Sequence, residues 1–232
     1  GQYHGAFGWD KLSLLPEIDL TKTGLLDWNG AINPLAAAVK CCWRYTTVSP
    51  NYLEELTYSS NGLEYLFYIE RGKGTGIING IDTEIWDPKT DPMIPEHFTT
   101  KQIAAGKQKN KAILCEKFHL SADKPLVSFI GRLVIEKGAD LLDESIKNII
   151  LSHPGEINFF ILGAGDVKMQ EDLLAIKKLY PEQCNVFIGY DESLAHLVYA
   201  GSDFLLMPSR VEPCGLNQLY ALRYGTVPVV RT

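Results

Sequence analysis

Arg132 and Lys137 stand five positions apart behind the apolar run Leu126–Ile130, with Gly131 between the run and the first cation. Two cations at a strand end, beside a starting helix, suit a diphosphate, because side-chain charge and helix dipole both favour anions. Surface salt bridges are the alternative use of the same residues. A second set lies in Arg210-Val-Glu-Pro-Cys-Gly-Leu-Asn-Gln-Leu-Tyr220, after the apolar run Asp203–Met207 and Pro208. Glu212 sits in that turn, and Gly215 opens the amphipathic stretch Leu216, Leu219, Tyr220, Leu222. A carboxylate, a permissive glycine and a helix N-terminus thus fall together at the C-terminal end of a strand. Open α/β sheets bind nucleotides at that location. The turn is expected to hold a substrate.

Two further turns carry chemistry of the same kind. Gly163-Ala-Gly-Asp166 follows Ile157–Leu162, with Asp166 placed as an N-cap. Gly163 and Gly165 fit either tight packing or close approach of a ligand. Gly189-Tyr-Asp-Glu192 follows Asn185–Ile188. There Tyr190 either offers an aromatic face to a base or serves as a structural residue at a helix start.

The elements that must position these turns alternate regularly. Strands are expected at Thr75–Ile78, Leu126–Ile130, Ile157–Leu162, Asn185–Ile188, Asp203–Met207 and Val227–Val230, with helices running from Lys137, Asp166, Asp191 and Gly215. Short apolar strands separated by helices mean an α/β parallel sheet covered on both faces. Right-handed crossovers then gather the strand C-terminal ends on one edge. Before residue 75 the pattern differs. Asn33-Pro34 starts an Ala-rich helix to Trp43, a strand follows at Tyr45–Val48, and Ser49-Pro50 opens another helix. Arg71-Gly-Lys-Gly-Thr-Gly76 suits a linker or hinge. Its spacing fits neither phosphate-loop motif.

Composition excludes several functions. The 232 residues are 46% hydrophobic and carry a net charge of -6, with no basic block dense enough to track nucleic-acid phosphates. Lys101, Lys107, Lys109, Lys111 and Lys117 are expected on the solvated face of one helix. No apolar run reaches membrane-span length. The start, Gly-Gln-Tyr-His-Gly, lacks the basic region of a signal peptide. The five cysteines lack zinc spacing, and their odd count suits a reducing cytoplasm. Cys41-Cys42 reads as a pair of buried thiols. His97, His119, His153 and His196 have no partner at metal-ligand spacing. Trp9, Trp28, Trp43 and Trp86 are scattered as core or domain-surface packing is, although an aromatic stacking platform is the other reading. His4 and Trp9 stay open as residues of an active-site rim.

Taken in order, four strings resemble bacterial glycogen synthases and plant starch synthases. They are Gly131-Arg-Leu-x-x-x-Lys-Gly138, Gly163-Ala-Gly-Asp166, Ile188-Gly-Tyr190 and Pro208-Ser-Arg-Val-Glu-Pro-Cys-Gly-Leu216. Asn79-Gly-Ile-Asp-Thr-Glu-Ile-Trp-Asp-Pro88 and Tyr220–Val230 are similar to that family as well. The resemblance implies a retaining glucosyltransferase with two facing Rossmann-like domains. Residues 1–74 would then be the tail of the N-terminal, acceptor-side domain and the hinge. Residues 75–232 would be the nucleotide-sugar-binding domain.

By the same resemblance, Arg132 and Lys137 hold the departing diphosphate and Glu212 lies near the donor glucose. Tyr190 neighbours adenine, and the N–H groups of Gly215 and Leu216 meet sugar or phosphate. Gly131, Gly163, Gly165, Cys214 and Asn217 complete the donor site. ADP-glucose is the implied donor, ADP the product and an α-1,4-glucan the acceptor, with no metal or other cofactor. The location implied is cytoplasmic in a bacterium and plastidial in a plant.

The resemblance favours a front-face route, with the leaving phosphate helping to deprotonate the acceptor hydroxyl and Glu212 positioning the sugar. A double displacement would need a carboxylate on the opposite face. Many relatives carry a hydroxyl residue where Asn217 stands. The N-terminal lysine-glycine motif has no counterpart, and relatives continue beyond Thr232. The expectation is therefore a fragment, inactive by itself. Two alternatives remain, a related hexosyltransferase and a non-catalytic nucleotide- or glucan-binding module. Many other hexosyltransferases place a second glutamate eight positions after the first; Tyr220 occupies that position here, which favours the synthase.

Overall fold

Asn33 and Ser49 open two helices by the same means, a side-chain oxygen that accepts from a backbone N–H three residues on. The computed structural model describes residues 4–15 and 24–231, so Gly1–Tyr3 of the stretch read for a signal peptide, and Thr232, lie outside it. Packing divides the chain into residues 1–79 and 80–232.

In the first unit a 3-10 turn, Trp9–Leu14, precedes an antiparallel ribbon of β1 (Asp27–Trp28) and β2 (Ala31–Ile32). Helix α1 (Pro34–Cys41) is capped by Asn33 Oδ1, 2.9 Å from the Ala36 nitrogen, with Pro34 in the first turn. After β3 (Tyr45–Thr47), α2 (Pro50–Glu55) is capped by Ser49 Oγ at 3.0 Å from the Tyr52 nitrogen. Helix α3 (Glu64–Ile69) and β4 (Gly74–Gly76) follow. Ala36, Val39, Leu56, Leu63, Leu66 and Phe67 form the core of this unit.

Strand β4 pairs in parallel with β3, Tyr45 opposite Gly74 and Thr47 opposite Gly76. The strand expected at Thr75–Ile78 therefore forms slightly earlier and joins a different sheet from the other expected strands. The expected linker is a 3-10 turn, Arg71–Lys73, running into that strand. Gly76 answers a packing need: a Cβ there would come 2.4 Å from the Pro50 backbone. Two other expectations change in this unit. Cys41 is exposed and Cys42 half-buried, with the Cys42 thiol donating to the Val39 carbonyl at 3.4 Å. Trp43 is 94% exposed rather than packed.

The second unit begins with turns and then alternates. Its elements are α4 (Ile103–Lys117), β5 (Leu126–Ile130), α5 (Leu142–Ser152), β6 (Asn158–Gly163), α6 (Val167–Leu179), β7 (Cys184–Ile188), α7 (Glu192–Gly201), β8 (Phe204–Met207), α8 (Leu216–Arg223) and β9 (Val227–Val230). The five strands are all parallel, in the order β7-β6-β5-β8-β9. Chain order thus reverses between β5 and β8, which opens a crevice at their C-terminal ends. β6 is buried throughout. Its Phe159 and Ile161 pack with Leu142, Ile146 and Leu173 of α5 and α6, and its Phe160 and Leu162 with Leu114, Leu194 and Val198 of α4 and α7. Both faces are covered, which is why the strands read as continuous apolar runs.

The lysine series on α4 does not form one solvated face. Lys107 and Lys111, one helical turn apart, point inward. Lys107 Nζ donates to the Tyr199 and Ala200 carbonyls at the end of α7, at 3.3 and 3.2 Å, and to Thr226 Oγ1 at 2.7 Å. Burial pulls its pKa down to about 8, against the field of Asp203. Lys111 Nζ lies 2.6 Å from Asp203 Oδ2, which also accepts from the Leu126 nitrogen at the start of β5. Both stems bury their methylenes and bring the charge to waiting acceptors.

His196 is a partnered core residue. It is fully buried on α7, with Nδ1 2.7 Å from Asp91 Oδ2. Asp91 Oδ2 accepts a short hydrogen bond from the Tyr224 hydroxyl as well. Trp86 stacks on the His196 ring at 3.7 Å and on Tyr220 at 3.9 Å. The segment entering this unit is thereby fastened to α7 and α8. Among the described residues no helix is long and apolar enough to cross a membrane.

Candidate active site

The crevice at the reversal point is a cleft of about 380 Å³, the size range of small-ligand sites. Ile130, Gly131 and Arg132 line it from the end of β5, Gly163 and Ala164 from β6, Gly189 and Tyr190 from β7, and Asn217 from α8. Four residues predicted apart in sequence, Arg132, Gly163, Tyr190 and Asn217, therefore border one space. Lys137, Gly165, Glu212, Cys214, Gly215 and Leu216 are outside its lining.

Arg132 is exposed at the cleft. Its guanidinium takes part in no ion pair or hydrogen bond among the described residues, and five N–H donors remain for an anion. Tyr190 is 87% exposed, on the side of the cleft formed by β7. Asp191 next to it caps α7, accepting from the Leu194 nitrogen at 2.9 Å and Ser193 Oγ at 2.8 Å. Those bonds hold its carboxyl below the usual carboxylate range. Asp166 caps α6 in the same manner at 3.1 Å from the Met169 nitrogen.

The glycine pair after β6 is resolved towards packing. A Cβ on Gly163 would come 2.0 Å from the Gly131 carbonyl oxygen, and one on Gly165 2.3 Å from that of Leu133. The two turns lie backbone to backbone, joined by the Leu133–Gly165 bridge. Gly163 still borders the cleft; Gly165 does not.

Lys137 and Glu212 meet directly. Lys137 Nζ is 2.7 Å from Glu212 Oε2, and Ser209 Oγ donates to the same oxygen at 2.9 Å. Both side chains are about three-quarters buried. The helix expected from Lys137 is delayed: Ile135–Lys137 and Ala139–Leu141 form 3-10 turns, and α5 starts at Leu142. Gly138 between them is left-handed at φ 68°, and a Cβ there would come 2.3 Å from the Pro208 carbonyl oxygen. Only glycine lets the Lys137 turn approach the Glu212 turn so closely.

Gly215, left-handed at φ 80°, starts α8 without any side-chain cap. The first-turn N–H groups of Leu216 and Asn217 are left for solvent or an anion. Cys214 is partly buried, its carbonyl accepting from Gln218 Nε2 at 3.4 Å. Asn217 Nδ2 donates to the Ile130 carbonyl at 2.7 Å, tying α8 to the end of β5.

Sequence reasoning passes over Ser209 and Arg210. Arg210 forks onto Asp140, Nη1 to Oδ1 at 2.5 Å and Nη2 to Oδ2 at 2.8 Å. That guanidinium holds the Asp140 carboxyl below its usual range. The adjacency of Ser209 and Arg210 to Glu212 is the signal that was available; the partner Asp140, 70 positions upstream, leaves none. Elsewhere, His4 Nδ1 contacts Asn33 Nδ2 at 2.8 Å and Trp9 Nε1 donates to Asp27 at 3.2 Å.

A parallel sheet with reversed strand order and a cleft at the reversal define an α/β domain whose candidate ligand site lies at the strand C-terminal ends. Comparison with known proteins makes this specific. The profile of the family Glycosyl transferases group 1 matches residues 111–232, and that of Starch synthase catalytic domain matches residues 1–68. A glycogen synthase of Flavobacterium johnsoniae is 56% identical over 231 residues, 100% of this chain and 49% of that protein. One of Rhodospirillum rubrum is 42% identical over 236 residues, 99% of this chain and 48% of that protein. The solved catalytic domain of Starch Synthase IV from Arabidopsis thaliana, bound to ADP and acarbose, superposes with a TM-score of 0.88 at 32% identity, covering 99% of this chain and 48% of that one. The chain belongs to the group 1 glycosyl transferases and, within them, to the glycogen and starch synthase family. It spans about half the length of the curated relatives it matches.

Proposed function

We propose that this chain provides the donor-binding half of a glucosyltransferase that moves glucose from ADP-glucose to the non-reducing end of an α-1,4-glucan, with retention. The observation that carries the reading is the cleft with an uncommitted Arg132 on one wall and exposed Tyr190 on another. The nucleobase stacks on Tyr190 and the diphosphate reaches Arg132, Lys137 and the open N-terminus of α8. Residues 1–74 belong to the acceptor-side domain. In support, the similar starch synthase was solved with ADP and acarbose, a nucleotide and a glucan-like sugar.

Retaining transfer builds positive charge on the glucosyl carbon and negative charge on the leaving diphosphate. Arg132 and Lys137 meet that growing negative charge, Lys137 already held by Glu212, and supply electrostatic stabilisation. Glu212, its Oε2 already taken by Lys137 and Ser209, keeps Oε1 for the sugar. The leaving phosphate then accepts the proton of the acceptor hydroxyl on the same face. A cytoplasmic location goes with this reading, in keeping with five free thiols.

Calorimetric titration with ADP, and with UDP and GDP in parallel, tests it. Saturable ADP binding, weaker for the other two and lost in Arg132→Ala, is expected. Equal binding of all three would remove the ADP-glucose assignment, and binding unaffected by Arg132→Ala would remove the site.

A further inference from the structure

We propose that Arg210 is a positioning residue which, paired with Asp140, sets the distance between Lys137 and Glu212. The inference rests on the function proposed above.

Neither side chain of that pair stands on a regular helix or strand. Lys137 ends a 3-10 turn, and Glu212 lies in the irregular segment between β8 and α8. Their separation is therefore set by contacts between the two segments, and those contacts converge on residue 210. The Arg210 and Val211 nitrogens both donate to the Glu136 carbonyl, at 2.8 and 3.1 Å. Arg210 Nη1 donates to the Ile135 carbonyl at 2.7 Å, and the fork onto Asp140 closes the far side. One guanidinium thus spans Ile135 to Asp140, the stretch that carries Lys137.

Two comparisons favour positioning over other roles. A third diphosphate cation would need free donors, as Arg132 has; both terminal nitrogens of Arg210 are engaged within the protein. As a stabilising ion pair it would be a poor device, since both side chains are 33% exposed and such pairs contribute little. Planar bidentate geometry fixes orientation, which a lysine could not do. What the fork fixes here is the approach of the Glu212 turn to the Lys137 turn.

Arg210→Gln, Asp140→Ala, their double variant and Arg210→Lys, made in the full-length protein, test the proposal through kcat, donor KM, ADP affinity and thermal midpoint. Each of the first two should lower kcat by about 10- to 100-fold, the scale of an ångström-level misplacement. Donor KM and ADP affinity should stay within about threefold, and the thermal midpoint within about a few degrees. The double variant should be no worse than the poorer single one, because both remove the same bond. Arg210→Lys should recover only part of the rate. An unchanged kcat in Arg210→Gln, losses that multiply in the double variant, or a rate that falls only as the folded fraction falls would each overturn the positioning role. Wild-type protein that transfers no glucose from ADP-glucose would instead overturn the function on which it rests.

Discussion

Lys137 Nζ and Glu212 Oε2 lie 2.7 Å apart although 75 positions separate them in the chain. The two residues to which the proposed function gives opposite duties, binding an anion and facing a developing cation, are thus each other's partner. Lysine has three donors, and one bond to Glu212 leaves two for a phosphate. The carboxylate nevertheless lowers the positive potential that an incoming diphosphate meets. Binding and turnover should therefore respond to Glu212 in opposite directions.

Glu212→Gln is expected to bind ADP roughly fivefold more tightly, about 1 kcal/mol, the scale of freeing a partly exposed lysine from an ion pair. Glucosyl transfer by the full-length protein should fall by at least 100-fold, as loss of a transition-state electrostatic partner does. Lys137→Ala should weaken ADP by about 10-fold or more, the range of a charge-assisted hydrogen bond. Calorimetry and initial rates on the same preparations check both. Weaker ADP binding in Glu212→Gln would show that the carboxylate helps to build the anion site rather than oppose it.

Tyr190 gives a second separation of effects. At 87% exposure its ring contributes little to folding, so Tyr190→Ala should leave unfolding free energy within about 0.5 kcal/mol of wild type. ADP affinity should fall by about 1–3 kcal/mol, the range measured for base stacking on an aromatic side chain. Tyr190→Phe should bind as wild type does, because the ring and not the hydroxyl is used. An alanine variant with full ADP affinity would place the base elsewhere.

Much of this is legible in the sequence where the determinant is local. Strand β5 and strand β9 have the expected bounds, Asp166 caps the helix it was expected to cap, and Asn33, Ser49 and Asp191 open helices where starts were expected. A cap or an apolar run is decided within a few residues. What stays hidden depends on a distant partner. Lys107 reads as solvated because its carbonyl acceptors, 92 and 93 positions away, carry no sequence mark. The glycines at 74 and 76 read as a hinge because the strand they pair with is also short and glycine favours nothing. Arg132, Gly163, Tyr190 and Asn217 come to border one cleft because right-handed crossovers gather the turns that follow parallel strands on one edge. Arg210 stays hidden, because its partners Ile135, Glu136 and Asp140 lie 70 or more positions upstream.

Asp91 should be the most sensitive polar residue of the second unit. It is fully buried, and its Oδ2 serves both His196 and Tyr224 while Oδ1 accepts from the Met93 nitrogen at 2.8 Å. Asp91→Ala strands two buried polar groups at once, at a cost of about 3–5 kcal/mol. Asp91→Asn keeps one of the two acceptor oxygens and should cost less, about 1–3 kcal/mol. Urea unfolding separates them. Equal, small losses would mean that stacking on Trp86 holds His196 without the carboxylate.

Lys107 makes alkaline stability testable. Its pKa falls from 10.5 to about 8 on folding, through burial, so between those values the unfolded chain binds more protons than the folded one. Stability from this group is then present above pH 10.5 and lost as pH falls through about 8. Against Lys107→Met, wild type should gain stability steadily from pH 8 to 10.5, up to one proton's worth of slope. Taking the difference cancels the opposite trend from buried Tyr199 and Cys184, whose pKa values burial raises, that of Cys184 to about 12. Urea midpoints at half-unit pH steps check the slope. A flat difference would mean that the Tyr199, Ala200 and Thr226 acceptors hold the ammonium at its ordinary pKa, their hydrogen bonds offsetting the whole cost of burial.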